Sequence, residues 1–156
     1  MKKKTFTFLL FLFLSSCGYE AVYSVKNRIN YSFIISELTL TGDRQTNLKI
    51  KQILKRYSNP DTKGGKSFSL KISSNSEKIT TTKDAAGNAT KFKNEITVKV
   101  RVFQNGQYVS NFKVIENFDY NNNSNTLELR TYENEIKNNL AGAIVDKITS
   151  MLAKLI

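Results

Sequence analysis

Between residues 95 and 120 the chain carries the pattern that most restricts its fold. Ile96, Val98, Val100 and Val102 alternate with Thr97, Lys99 and Arg101, so an extended segment would turn one apolar and one polar face outward. Asn105-Gly106 follows directly. Both residues tolerate positive φ, which a tight two-residue hairpin requires. The returning segment offers Tyr108, Phe112, Val114, Phe118 and Tyr120 as its apolar side. A chain containing this unit must cover a half-greasy antiparallel ribbon with something else.

The covering elements can be read from the flanks. Residues 33–40, FIISELTL, are rich in strand formers, and Asp43 is placed to cap a helix. In that helix Ile50, Ile53, Leu54 and Tyr57 recur at i, i+3, i+4 and i+7. The stretch SNPDTKGG, with the only proline, ends it. Phe68, Leu70 and Ile72 then alternate with Ser69, Lys71 and Ser73, with a register change expected towards Ile79, and DAAGNA turns the chain at Gly87-Asn88. After the polar run NNNSN, Asn125 with Glu128 three residues on has the form of a capping box. Tyr132, Ile136, Leu140, Ile144, Ile148, Met151, Leu152 and Leu155 form a helical stripe behind it, in which Gly142 costs about 1 kcal/mol relative to Ala.

The expected order is therefore β-α-β-β-β-α. Strands two to four make an antiparallel meander, and strand one pairs with strand two in parallel through a right-handed crossover. Two helices with one apolar stripe each cover one face of a four-stranded mixed sheet, a two-layer α+β sandwich. The other face is expected to be polar and basic.

The start of the chain has a different character. Lys2, Lys3 and Lys4 precede an apolar run from Phe6 to Leu14, broken only by Thr7. That run is about half of the roughly 20 residues a spanning helix needs, and a basic start with a short apolar middle marks a secretory signal peptide. Leu14-Ser15-Ser16-Cys17 has the arrangement of a bacterial lipobox. In such a site the cysteine sulfur receives diacylglycerol and cleavage leaves the cysteine as the new N-terminus. The expectation is a signal peptide over residues 1–16, a lipidated tether over 17–31 anchored through Cys17, and one domain over 32–156. More than one acyl chain makes such an anchor stable.

Composition narrows the chemistry. Cys17 is the only cysteine, so no internal disulfide can form, and no histidine is present. The commonest general base and metal ligand is thus missing. Asp43, Asp61, Glu77, Asp84 and Asp119 show no spacing that singles out a catalytic pair, and neither DAAGNA nor GDRQTN is a phosphate-cradling loop. The expectation is a protein without catalytic residues, metal or cofactor other than the covalent lipid on Cys17. The formal net charge of +11 falls by three when Lys2–Lys4 leave with the leader. A basic chain suits an anionic partner, and export argues against nucleic acid. Abundant Asn, Lys and Ile are also what AT-rich coding produces, so charge alone names no partner.

Three segments together resemble the lipopolysaccharide-assembly lipoprotein LptE family in its short alphaproteobacterial form. They are CGYEAVYS at 17–24, DAAGNATKFKNEITVKVRV at 84–102, and FDYNNNSNTLELRTYENEIKNNLAGAIVDKITSML at 118–152. Ala21 and Ser24 depart from the family, which often has proline and glycine there. The resemblance implies a non-catalytic outer-membrane lipoprotein on the periplasmic side. It would form a heterodimer with an LptD-like β-barrel, help assemble it and help pass lipopolysaccharide to the outer leaflet. Gly18 after the anchor cysteine agrees with outer-membrane sorting. Candidate lipopolysaccharide contacts are Lys91, Lys93, Lys99 and Arg101, which alternation places on one strand face; Lys91 and Lys93 adjoin the AGNA turn. The alternatives are a scaffold lipoprotein of another envelope complex without lipopolysaccharide contact, and a tethered periplasmic hydrolase or glycan-binding domain.

Overall fold

The computed structural model describes residues 33–58 and 65–156. The leader, the lipidation candidate Cys17, the tether and the centre of the proline loop lie outside the described residues. The elements are β1 (Phe33–Gly42), α1 (Arg44–Leu54, closed by a 3-10 turn Lys55–Tyr57), β2 (Lys66–Lys83), β3 (Ala89–Gln104), β4 (Gln107–Asn121) and α2 (Thr126–Ala153). The sheet runs in the order β1-β2-β3-β4. β1 and β2 are parallel and the other two pairings antiparallel. This is the expected α+β sandwich, with both helices on one face.

Alternation decides which face is covered. Phe68, Leu70 and Ile72 of β2, Ile96, Val98, Val100 and Val102 of β3, and Val114 and Tyr120 of β4 are buried with Ile50 and Leu54 of α1. The C-terminal two-thirds of α2 completes the core through Ile136, Leu140, Ala141, Ile144, Val145, Ile148 and Leu152. The β3–β4 turn has Asn105 at φ 52° and Gly106 at φ 78°, the two positive values of a type I′ hairpin.

The β1–α1 junction fixes the crossover. Gly42 has φ +98°, and a Cβ there would lie 1.9 Å from the Ser74 carbonyl oxygen. The same oxygen accepts from Asp43 N at 3.1 Å, and Asp43 Oδ1 caps α1 by accepting from Thr46 N at 2.8 Å. Ser74 Oγ, buried, donates to Asn47 Oδ1 at 2.8 Å.

Four details differ from the sequence expectation. β2 keeps its register with β3 past Ile79, and the irregularities fall between Thr80 and Thr82 and between Thr82 and Lys83. Ile79 therefore points away from the core, 40% exposed. A bulge between Val102 and Phe103 shifts the start of β4 by one residue. It turns Tyr108 away from the other apolar residues of its strand, against Phe103 at 6.0 Å in a T-shaped contact. Tyr132 is not core; it meets Tyr120 edge-on at 6.0 Å from the rim of α2. The capping box is half formed: Asn125 accepts from Leu127 N and Glu128 N, but Glu128 Oε2 accepts from Asn123 Nδ2 instead of reaching back to the cap.

Candidate anion-binding face

Among the described residues no element packs on the outer face of the sheet. Its composition is set by the residues alternating with the core, and register shows how they group. Lys71 of β2 stands opposite Arg101 of β3, and Arg101 stands opposite Asn111 of β4. On the next rung of the same face, Lys99 stands opposite Ser73 on one side and Lys113 on the other. Four exposed cations thus occupy two neighbouring rungs, over a shallow depression of about 470 Å³ that Thr39 and Thr41 of β1 also line. Lys71 Nζ lies 5.2 Å from the centre of the Phe103 ring, which supports its stem. The nearest carboxylate by register is Glu37 on β1, opposite Ser69 and so diagonal to Lys71.

Further along the same face the charge changes sign. Glu77 stands opposite Glu95, and Lys93 stands opposite Asp119. Lys91 faces Asn121 at the end of the sheet and lines a separate cleft of about 760 Å³ with Phe118, Tyr132 and the Asn121–Asn123 run. The candidates Lys91, Lys93, Lys99 and Arg101 therefore share a face, as alternation requires, but an acidic rung divides them. Lys99 and Arg101 are joined by Lys71 and Lys113, which the reading of one strand left out. Only strand pairing brings those two in, and the sole signal in the sequence was their position on the polar side of flanking strands.

The inner face at this end is tied by a polar pin. Lys78 Nζ sits 2.5 Å from Glu133 Oε1 and 3.8 Å from the centre of the Phe92 ring. Tyr120 Oη donates to the same carboxylate oxygen at 2.8 Å. Burial alone would raise the Glu133 pKa, but hydrogen bonds from Lys78 and Tyr120 and the Lys78 charge outweigh it and hold the carboxyl below its usual range. Burial, then the bond to Glu133, pushes the Tyr120 phenol well above its ordinary value. This pin joins β2, β4 and α2, and its carboxylate is already satisfied, which suits it to holding structure rather than to proton transfer.

A sheet with one bare, basic face and the other face backed by two helices makes a small two-layer α+β domain. No protein-family profile matches the sequence, and no curated protein matches it. Solved structures share its fold. Rare lipoprotein B from Shewanella oneidensis is similar at TM-score 0.53 and 17% identity, over 76% of this chain and 98% of that one. A minor lipoprotein from Acinetobacter baumannii is similar at TM-score 0.56 and 10% identity, over 78% and 93%. A lipoprotein from Caulobacter crescentus is similar at TM-score 0.54 and 13% identity, over 81% and 91%. The chain has the fold of these lipoproteins.

Proposed function

We propose that the chain is an outer-membrane lipoprotein of the LptE type, acylated on Cys17. It is a non-catalytic plug in a one-to-one complex with an LptD-like β-barrel, and it assists lipopolysaccharide transport to the outer leaflet. The observation that carries the reading is the sheet itself: one face is buried under two helices, and the other is left open with Lys91, Lys93, Lys99 and Arg101 on it. A fold shared with lipoproteins of the rare lipoprotein B type supports the same reading, as do the lipobox around Cys17 and the three segments that resemble the LptE family. A compact two-layer domain suits the lumen of a wide barrel, and cations on an open face suit the phosphates of lipid A through charge-assisted hydrogen bonds.

The test is purification of the tagged full-length protein from membranes, with mass spectrometry of what accompanies it and depletion in parallel. A large barrel in equal molar amount, and a fall in assembled barrel and surface lipopolysaccharide on depletion, are expected. Normal barrel and lipopolysaccharide levels after depletion would refute the reading; a different stable complex would favour the scaffold alternative.

A further inference from the structure

We infer that the free edge of β4 docks a second copy of this chain, the two strands pairing antiparallel about a two-fold axis at Glu116. The pairing concerns the chain before it docks in any barrel, so it goes beyond the reading above and does not depend on it. Both ends of the sheet are edges, but they are unequal. β1 is the shorter, carries a bulge between Ile35 and Glu37, and exposes no large apolar side chain; short, bulged edges are blunted against pairing. β4 holds an unbroken register with β3 from Ser110 to Asn121, and there Ile115 and Phe118 are 42% and 46% exposed. Among the described residues no strand pairs with its outer side. A long, partly apolar edge of this kind is a template for another strand.

The backbone decides which residues can bond across that edge. Asn122 N donates to the Thr90 carbonyl, so in this register the even-numbered residues of β4 turn their N–H and C=O groups towards β3. Asn111, Lys113, Ile115, Asn117, Asp119 and Asn121 turn theirs to the open side. Self-pairing must then join odd residues to odd, and side-chain chemistry chooses among those registers. With Glu116 on the axis, Lys113 stands opposite the partner's Asp119, and by symmetry Asp119 stands opposite the partner's Lys113. In one copy alone Lys113 faces Lys99, a like-charge contact that destabilises a sheet. The partner's Asp119 extends that rung with the carboxylate it lacks. On the helix face Val114 meets the partner's Phe118 and Phe112 meets the partner's Tyr120, in close non-hydrogen-bonded pairs. The two Glu116 side chains meet at the axis, where each is already paired with Lys147 of its own α2. Moving the axis to Ile115 would set Lys113 against Asn117 and Val114 against Glu116, losing both ion pairs. The interface is isologous, so one strand supplies both complements.

Full-length protein in neutral detergent is measured by size exclusion with light scattering over a range of concentrations. Wild type is expected to pass from one copy to two, and one copy at every concentration would overturn the pairing. Register is read by cross-linking. Non-hydrogen-bonded partners have Cα atoms about 4.5 Å apart, within disulfide reach, so Glu116→Cys is expected to give a covalent dimer with the oxidant diamide. Asn111→Cys would lie about 30 Å from its equivalent, at the rise of an extended strand, and is expected to give none. Wild type, with Cys17 alone, is the control for other thiols. Equal cross-linking at both positions would show random collision and overturn the register. Lys113→Glu is expected to weaken dimerisation about tenfold, since two symmetry-related attractions become repulsions. Its melting temperature should not fall, because the contact with Lys99 improves. Lys113→Glu/Asp119→Lys is expected to restore the dimer, and failure to do so in a folded protein would overturn the pairing. If that exchange variant does not fold, Asn117→Pro stands in, because it removes an N–H that only the partner uses. It is expected to leave a folded single copy, and a folded dimer of it would overturn the pairing.

Discussion

Replacing Gly42 by alanine tests how the parallel crossover is held. Two separable costs arise. A non-glycine residue forced into the left-handed region loses about 1–2 kcal/mol, and φ at Gly42 is +98°. Gly87, at φ +87°, shares this first cost, but a Cβ there meets nothing within 4 Å. At Gly42 the added atom falls 1.9 Å from the Ser74 carbonyl oxygen, which is backbone of a strand paired on both sides and cannot swing away. Separating β1 from β2 there breaks the Asp43 N to Ser74 O bond, about 1 kcal/mol. It also displaces Asp43 from its capping position, another ~1 kcal/mol. Gly42→Ala is therefore expected to lose about 3–4 kcal/mol and Gly87→Ala about 1–2 kcal/mol. Urea titration followed by circular dichroism measures both, with the slope compared to wild type so that a change in the unfolded state is not mistaken for a change in stability. If Gly42→Ala proved no more costly than Gly87→Ala, the close approach would carry no energetic weight and the account of the junction would be wrong.

Other expectations follow from the core, the pin and the anchor. Ile148→Ala empties a fully buried site on α2 and should cost about 2–5 kcal/mol by the same titration. Because the Glu133 pKa is held below its usual range, the pin's contribution is present above the unfolded carboxyl pKa of about 4.3 and is lost as pH falls through the folded value. Glu133→Gln should therefore melt lower than wild type at neutral pH, and the gap should narrow in acid; a gap unchanged between pH 7 and pH 3 would contradict this. Cys17→Ala is expected to leave the chain unacylated, as a soluble form or retained precursor, and mass spectrometry of the mature N-terminus decides it; a free Cys17 thiol in membrane-extracted wild type would sink the lipidation reading.

The elements that were legible in the sequence are those whose signal is local. The alternation from Ile96 to Val102, the Asn105-Gly106 turn, the Asp43 cap and the Ile136–Leu152 stripe each name their own conformation, and the β-α-β-β-β-α order leaves few ways to combine them. The departures arise where a neighbouring strand decides. Ile79 has the composition of a core residue, but β2 stays in register with β3 and so places Ser74 and Ser76, not Ile79, at inward positions. Tyr108 is carried to the other face by one extra residue in β4, which composition does not announce. The same limit governs the candidate site. A single strand, read alone, makes Lys91, Lys93, Lys99 and Arg101 equivalent. Across three strands they are not: Lys93 gains Asp119, Lys91 is at the end of the sheet, and Lys99 and Arg101 gain Lys113 and Lys71. Charge on a sheet face is a two-dimensional property, so the residues that matter to an anion are selected by register before they are selected by type.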